Sequence, residues 1–293
     1  MLTQEKIRRI PNKIKRMLMR FPLFEIASKQ IYERNLENHA NYLPIISPED
    51  STLVKSLHQE GVCISSLQTL NITSTPLMLA SSEKLVTTLL TLPNNGKHVI
   101  NIPLVKLMEY PEIFLWGVEE KLLNVIENYI GLPILYHGVE FRREIANGEH
   151  LDVRQWHIDV EDYRMLKIIV YLNDVSLNGG PFEYISKNIT VSSRQALQYR
   201  SGFVSDERMK AVVPTLNWQP CTGRSGTAVF TDTCNVFHRA KPPIDTDRFS
   251  ITFSYTSTLP IKIYGQGTLP KDEFLKISSR LSQRQSNCIT VHS

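Results

Sequence analysis

The sequence lacks the features that mark a membrane-spanning or secreted protein. Its longest uninterrupted apolar stretches, such as residues 168–172, are far shorter than the ~18–20 residues that a transmembrane helix needs. The N-terminal segment has no apolar core followed by a small-residue cleavage site, so no signal peptide is expected. The four cysteines are scattered, without the spacing of a metal site or the density of a disulfide framework. We therefore expect reduced thiols and a cytoplasmic protein.

The sequence also lacks an excess of basic residues outside its first 20 positions. Residues 1–20 carry seven Lys or Arg against one Glu, whereas the remaining chain has 26 basic and 28 acidic residues. This local basicity argues against a nucleic-acid-binding protein. Two interpretations of the basic segment stay open. Residues 1–22 could make weak contact with an anionic membrane surface, leaving the protein peripheral there. The favoured alternative is a helix packed on the body, because Pro22 interrupts the amphipathic pattern.

What is present is the composition of an ordinary globular protein, with two clear helices in the first half. One is predicted to begin after Ser47, a good N-cap, and to end before Gly61. The second is predicted over residues 111–130, with Gly131 following it, and is expected to cover one face of a sheet.

From Tyr136 onward the pattern changes to short β-type segments separated by Gly, Asn, Asp and Pro. This regular punctuation is typical of a β-sandwich or barrel. The predicted strands cover residues 138–145, 154–159, 165–172, 182–185, 227–230, 235–238 and 249–256.

Two of these segments carry candidate metal ligands. His157 and Asp159 form a His-x-Asp pair, and residues two apart on a strand point to the same face. A later strand ends in His238. Two histidines and one carboxylate make the facial triad that holds non-haem Fe(II) with open coordination positions. A second pair, His150-Leu-Asp152, is a competing candidate, but its histidine follows a turn-like Asn147-Gly-Glu segment.

Ten residues after His238 begins a strictly alternating strand. Arg248, Ser250 and the polar residues 252 and 254 share one face, and aromatic or aliphatic residues share the other. In a barrel the polar face can line an interior cavity, where a guanidinium beside the metal suits a bidentate grip on a carboxylate.

Residues 136–257, about two fifths of the chain, resemble the Fe(II)/2-oxoglutarate-dependent dioxygenases, closest in pattern to the phytanoyl-CoA dioxygenase-like branch. The matching pieces are the His157-x-Asp159 motif, residues 166–172, the turn at residues 178–182, residues 226–238 and Arg248-x-Ser250. The chain departs from that branch at residues 186–188, which read Ser-Lys-Asn where a Pro-Gly-Ser-His-like segment is common.

The resemblance implies an α+β protein with a mainly β core, a double-stranded β-helix (jelly roll), over residues 131–260. Residues 1–130 would form a helical and mixed region packed on it, and residues 261–293 a C-terminal extension of one globule. His157, Asp159 and His238 would bind iron, and Arg248 and Ser250 would hold the distal carboxylate of 2-oxoglutarate.

The implied activity is O₂-dependent hydroxylation of an unactivated C–H in a small-molecule or lipid-like substrate, with release of succinate and CO₂. The carboxylate of Asp159 favours hydroxylation, because related halogenases lack it. Two alternatives stay open. One is a cupin-type metal enzyme that does not use 2-oxoglutarate, and the other is a non-catalytic, membrane-associated binding module.

Three further basic residues carry open assignments. Lys167 lies within an apolar strand, where it would contact 2-oxoglutarate or the substrate, or else extend its ammonium to solvent. One of Arg142 and Arg143 must face inward if their strand is regular. That arginine would hold a substrate acid, or the pair would form surface ion pairs at a strand edge.

Overall fold

The computed structural model describes residues 22–94, 96–261 and 269–292. The basic segment considered for membrane contact, residues 1–22, lies outside this range except for Pro22. Within the described residues, no helix has both the length and the apolarity required to cross a bilayer.

Helices dominate the first half of the chain, and shorter ones follow the strands of the second half. The α-helices are α1 Pro22–His39, α2 Pro48–Glu60, α3 Leu67–Leu70, α4 Thr75–Thr91, α5 Leu104–Leu107, α6 Pro111–Trp116, α7 Glu120–Ile130, α8 Lys187–Ala196, α9 Asp206–Lys210, α10 Lys271–Ile277 and α11 Gln283–Asn287. As expected, Ser47 caps α2 by accepting from the Asp50 amide, and Gly61 ends it in the left-handed conformation.

The strands form two antiparallel sheets and a small parallel pair. Their bounds are β1 Val62–Ser66, β2 Val99–Asn101, β3 Ile134–Glu144, β4 Leu166–Tyr171, β5 Phe182–Ile185, β6 Gln219–Cys221, β7 Thr227–Asp232, β8 Phe237–Ala240, β9 Arg248–Ser257, β10 Leu269–Pro270 and β11 Val291–His292. The large sheet has the order β1-β7-β4-β9-β3-β2, and the small sheet has the order β6-β5-β8. Strands β10 and β11 form the parallel pair.

The two antiparallel sheets face each other, and Tyr171 connects them. This β4 side chain is fully buried and its hydroxyl donates to the Cys221 carbonyl of β6, while the Phe182 amide of β5 donates to the same hydroxyl. Val229 of β7 packs in the same apolar cluster. The space between the sheets is therefore closed by apolar packing at this end.

The outer face of the large sheet is covered by helices. Phe253 and Tyr255 of β9 are fully buried in the main apolar core, where the Phe253 ring packs against Trp116 of α6. The predicted division of β9 into an apolar outer face and a polar inner face is confirmed. Ser250 and Ser254 lie on the opposite face, and they are also buried.

The prediction of a single helix over residues 111–130 was wrong, because two helices occupy this stretch. Helix α6 ends at Trp116 and α7 begins at Glu120. The carbonyl of Gly117 accepts a hydrogen bond from the Tyr255 hydroxyl at 2.6 Å, so β9 satisfies a group at the break. A side chain at Gly117 would also collide with Tyr136 and Phe253, which pack against its backbone.

Candidate metal centre

The two candidate histidines are joined through their backbones. His157 and His238 form an isolated antiparallel bridge, in which each amide donates to the other carbonyl at 3.0 Å. Their ring centroids lie 4.2 Å apart. His238 belongs to β8, whereas His157 lies in a loop after a 3-10 turn at Asp152–Arg154. The strand predicted over residues 154–159 was thus wrong: only Trp156 and His157 make isolated bridges there.

Both imidazole rings are held with Nε2 available for a ligand bond. His157 Nδ1 lies 2.9 Å from the Gln155 carbonyl, and His238 Nδ1 lies 3.1 Å from the Val236 carbonyl. A carbonyl can only accept, so each Nδ1 carries the proton and each Nε2 keeps its lone pair. A backbone partner that fixes the tautomer in this way is typical of metal-binding histidines.

Asp159 completes the group. Its amide donates to the Thr233 carbonyl at 2.9 Å, which holds this loop against the connection between β7 and β8. Its carboxylate oxygens lie 3.8 Å from His157 Nε2 and 4.0 Å from His238 Nε2. The three candidate ligand atoms all lie within 4.8 Å of one another. One metal ion can therefore be reached by all three residues.

The charge states of the three side chains suit a divalent cation. Burial lowers the pKa of both imidazoles, that of His238 to about 3 with a further contribution from His157. Burial alone would raise the pKa of Asp159, but the Lys167 ammonium and the two imidazoles outweigh burial and lower it below its usual range. Near neutral pH the site holds two neutral imidazoles and one carboxylate. These are the protonation states that metal binding requires.

Lys167 lies beside the carboxylate of Asp159. Its Nζ donates to Asp159 Oδ2 at 2.6 Å, which leaves Oδ1 for another partner. Lys167 is on β4, paired across the sheet with Ser254 of β9 and Thr231 of β7. The ammonium therefore remains inside the barrel, and it does not extend to solvent.

Arg248 and Ser250 lie on the same inner face of β9. Arg248 is 4% exposed and its Nη1 donates to the carbonyl of Gly180, in the predicted turn before β5. Gly180 adopts a positive φ of 73°, and a side chain there would meet the Lys241 carbonyl at 2.8 Å. Ser250 lies between Arg142 of β3 and Tyr171 of β4 in the sheet register.

The two adjacent arginines of β3 point in opposite directions. Arg143 pairs with Asp247 at 2.6 Å, and its guanidinium lies over the Phe249 ring. Arg142 lies between two carboxylates on the inner face, Glu140 and Glu144. Arg142 is therefore the inward residue of the pair.

His150, the competing candidate, is not part of the metal group. Its side chain is 52% exposed and its Nδ1 lies 3.7 Å from Asp206. Asp152, the other half of the competing pair, lies 3.5 Å from His98. The two residues thus contact different partners.

Further residues that the sequence did not single out as functional support the site. Arg154 and Glu144, both fully buried, form an ion pair with 3.2 Å between Nε and Oε2. Phe203 packs edge-on against the His157 ring at 5.4 Å, and the Tyr199 hydroxyl accepts from the Ile158 amide. None of these contacts follows a periodicity or a motif spacing, so no sequence signal pointed to them.

Two further acids near the site, Asp232 and Glu183, are both buried. Asp232 accepts hydrogen bonds from the Tyr129 hydroxyl, the Asn235 amide group and the Cys234 backbone. It therefore shapes the turn whose Thr233 carbonyl holds Asp159. Glu183 pairs with Arg239 at 2.7 Å, on the strand that carries His238.

The sequence matches no known family model and no curated protein. Solved structures do match. EctD from S. alaskensis, determined with 2-oxoglutarate and 5-hydroxyectoine, is 16% identical with a TM-score of 0.50, over 72% of this chain and 76% of EctD. HygX from Streptomyces hygroscopicus, with nickel and 2-oxoglutarate bound, is 15% identical with a TM-score of 0.48, over 73% of this chain and 88% of HygX. The likeness to EctD, together with the two facing sheets, confirms the predicted jelly-roll fold.

Proposed function

We propose that the protein is an Fe(II)- and 2-oxoglutarate-dependent dioxygenase that hydroxylates an unactivated C–H bond of a small-molecule substrate. The observation that carries the proposal is the convergence of His157, Asp159 and His238, with all candidate ligand atoms within 4.8 Å. This donor set of two neutral imidazoles and one carboxylate fits ferrous iron and leaves coordination positions open. The structure of EctD was determined with 2-oxoglutarate and 5-hydroxyectoine, which supports the proposal as an analogy.

Bound iron and 2-oxoglutarate would supply the oxidation: one atom of O₂ enters succinate as CO₂ leaves, and the other enters the substrate C–H bond. The protein's part is to hold and orient. The Gln155 and Val236 carbonyls keep both Nε2 atoms directed at the metal position. Lys167 holds one oxygen of Asp159, so that the carboxylate presents the other.

The second part of the proposed site is the polar inner face of β9. Arg248 would bind the distal carboxylate of 2-oxoglutarate, with the Ser250 hydroxyl two residues along. Arg248 is buried, and it does not point to solvent. That placement is evidence against a cupin-type metal enzyme without 2-oxoglutarate, because such an enzyme has no distal carboxylate for a buried Arg248 to bind. Lys167 remains a proposed second contact to the co-substrate.

The test is an anaerobic titration of the purified protein with Fe(II) and 2-oxoglutarate. A weak visible metal-to-ligand charge-transfer band should appear only when both are added, because chelation of the metal by the 2-oxo acid produces it. The band should require higher 2-oxoglutarate concentrations in Arg248→Ala. Arg143→Ala is the matched control, since this neighbouring arginine pairs with Asp247 outside the barrel. Stoichiometric metal binding without a band would contradict the proposal.

A further inference from the structure

Glu144 occupies an unusual position for an acidic residue. It is fully buried at the end of β3, and in the sheet register it lies directly opposite Arg248 of β9. Its Oε1 is 3.5 Å from Arg248 Nη2, and its Oε2 is 3.2 Å from Arg154 Nε. A carboxylate is rarely buried unless charged partners compensate it, and here the guanidiniums of Arg154 and Arg248 do so together with that of Arg142.

Arg154 holds Glu144 in this position. The remaining guanidinium nitrogens of Arg154 donate to the Asn147 side chain at 2.6 Å and to the His98 and Ile145 carbonyls at 2.6 and 2.9 Å. These partners belong to the backbone or to an adjoining loop, so Arg154 cannot turn away without losing several buried hydrogen bonds. The Glu144 carboxylate is thereby fixed from the side opposite to Arg248.

Arg248 keeps one edge of its guanidinium for a ligand. Nη1 donates to the Gly180 carbonyl, and Nη2 lies beside Glu144. Nε is buried and has no hydrogen-bond partner among the described residues. An unsatisfied buried donor is costly. The Nε–Nη2 edge is the edge that binds a carboxylate through two parallel hydrogen bonds.

Glu144 lies in a cluster of guanidiniums. Three guanidiniums, those of Arg142, Arg154 and Arg248, lie within 4 Å of its carboxylate oxygens. Glu140 is the other carboxylate of the group, paired with Arg142. Glu149 also acts electrostatically on Arg154. The carboxylates of this group are therefore shared among several guanidiniums, and none of them is hydrogen-bonded to Arg248 Nε.

We propose that Glu144 is a positioning residue for the co-substrate: it holds Arg248 so that the Nε–Nη2 edge receives the distal carboxylate of 2-oxoglutarate. This inference rests on the proposed function. Glu144 itself does not touch the ligand. Its removal leaves Arg248 with only the Gly180 carbonyl to orient it, so discrimination between 2-oxo acids with and without a second carboxylate should fall.

The experiment uses the full-length protein loaded with Ni(II), which does not turn over. Isothermal titration gives the Kd of 2-oxoglutarate and of 2-oxopentanoate, which has a methyl group where 2-oxoglutarate has its distal carboxylate. In Glu144→Gln the preference for 2-oxoglutarate over 2-oxopentanoate should fall by about tenfold, the loss typical of a residue that orients a binding side chain without touching the ligand. The affinity for Ni(II) should change by less than about twofold. Damage to the fold would instead weaken Ni(II) and both acids together.

Glu273→Gln is the matched control, because Glu273 is a buried acid with an ion pair of 2.7 Å to Lys276, on α10. The Glu273→Gln variant should prefer 2-oxoglutarate over 2-oxopentanoate to the same extent as the wild type. If Glu144→Gln fails to fold, Glu144→Asp decides, since it keeps the charge and withdraws the carboxylate from Arg248. A reduced preference supports the inference, and an unchanged preference in the folded variant overturns it. A wild-type protein that does not prefer 2-oxoglutarate would overturn the proposed function itself.

Discussion

His157 and His238 are hydrogen-bonded to each other in both directions through their backbones, although 80 residues separate them in the sequence. The bridge places their rings side by side, and each Nδ1 is hydrogen-bonded to a carbonyl two residues earlier. A site whose ligands are already oriented loses less conformational entropy on binding its ion. The backbone bridge and the two ring hydrogen bonds therefore favour metal binding by the folded protein.

This geometry predicts which histidine motif binds the metal. His157→Ala or Asp159→Ala should weaken Fe(II) or Ni(II) binding by more than the ~10–100-fold that the loss of an outer-shell partner costs. The far-UV circular dichroism of both variants should stay that of the wild type. His150→Ala is the matched control, because His150 is half-exposed and contacts Asp206. If His150→Ala loses metal binding and His157→Ala retains it, the metal ligands belong to the His150-x-Asp152 motif and the assignment of His157-x-Asp159 is wrong.

Lys167→Met should separate metal binding from co-substrate binding. The ammonium competes with a metal ion for the Asp159 carboxylate, to which it donates at 2.6 Å. Removing the ammonium relieves its repulsion with the divalent ion, and this gain is set against the loss of one charge-assisted hydrogen bond to Asp159. We therefore expect Ni(II) affinity to be kept or to rise several-fold.

If Lys167 also contacts the co-substrate, the same variant should bind 2-oxoglutarate about tenfold more weakly, as expected for loss of one charge-assisted hydrogen bond. Titration calorimetry of the two ligands in sequence measures both effects. Lys106→Met is the control, since Lys106 pairs with Glu109 on the surface. Weaker metal binding with unchanged 2-oxoglutarate affinity would show that Lys167 only orients Asp159.

The sequence was sufficient to predict the inner and outer faces of β9 and the grouping of His157, Asp159 and His238. Alternation along a strand is a local property, and Arg248, Ser250 and Phe253 follow it because the pleat puts successive side chains on opposite faces. The roles assigned to Arg248 and Ser250 remain predictions. They depend on the resemblance and on a ligand.

Tertiary contacts account for what the sequence could not predict. The break in the 111–130 helix depends on Tyr255, a residue more than a hundred positions later, whose hydroxyl binds the Gly117 carbonyl. The contact of Glu144 with Arg154 is similar: only the folded loop brings a strand end and a 3-10 turn together. The sequence showed that Lys167 lies in an apolar strand, where burying an unpaired ammonium is unfavourable, but it did not identify Asp159 as its partner.

The protein should lose stability in mild acid because of His137. This β3 side chain is 2% exposed, and its Nε2 lies 2.7 Å from the Thr256 hydroxyl. Burial, with a further contribution from Lys167, lowers the pKa of His137 from 6.5 to about 4. Between these two values the unfolded chain binds a proton that the folded protein does not. The free energy of unfolding must therefore fall as the pH decreases through this window.

At about pH 5 this single histidine should reduce the free energy of unfolding by about 2 kcal/mol relative to ~pH 7.5. Urea denaturation of the wild type and His137→Gln at both pH values measures it. The glutamine cannot take up a proton. The decrease in the free energy of unfolding between the two pH values should therefore be about 2 kcal/mol smaller in His137→Gln than in the wild type. This difference does not depend on how much the substitution itself destabilises the protein. His150→Gln, at an exposed histidine, should follow the wild type. Equal losses in the wild type and His137→Gln would show that His137 is protonated in the folded protein as readily as in the unfolded chain.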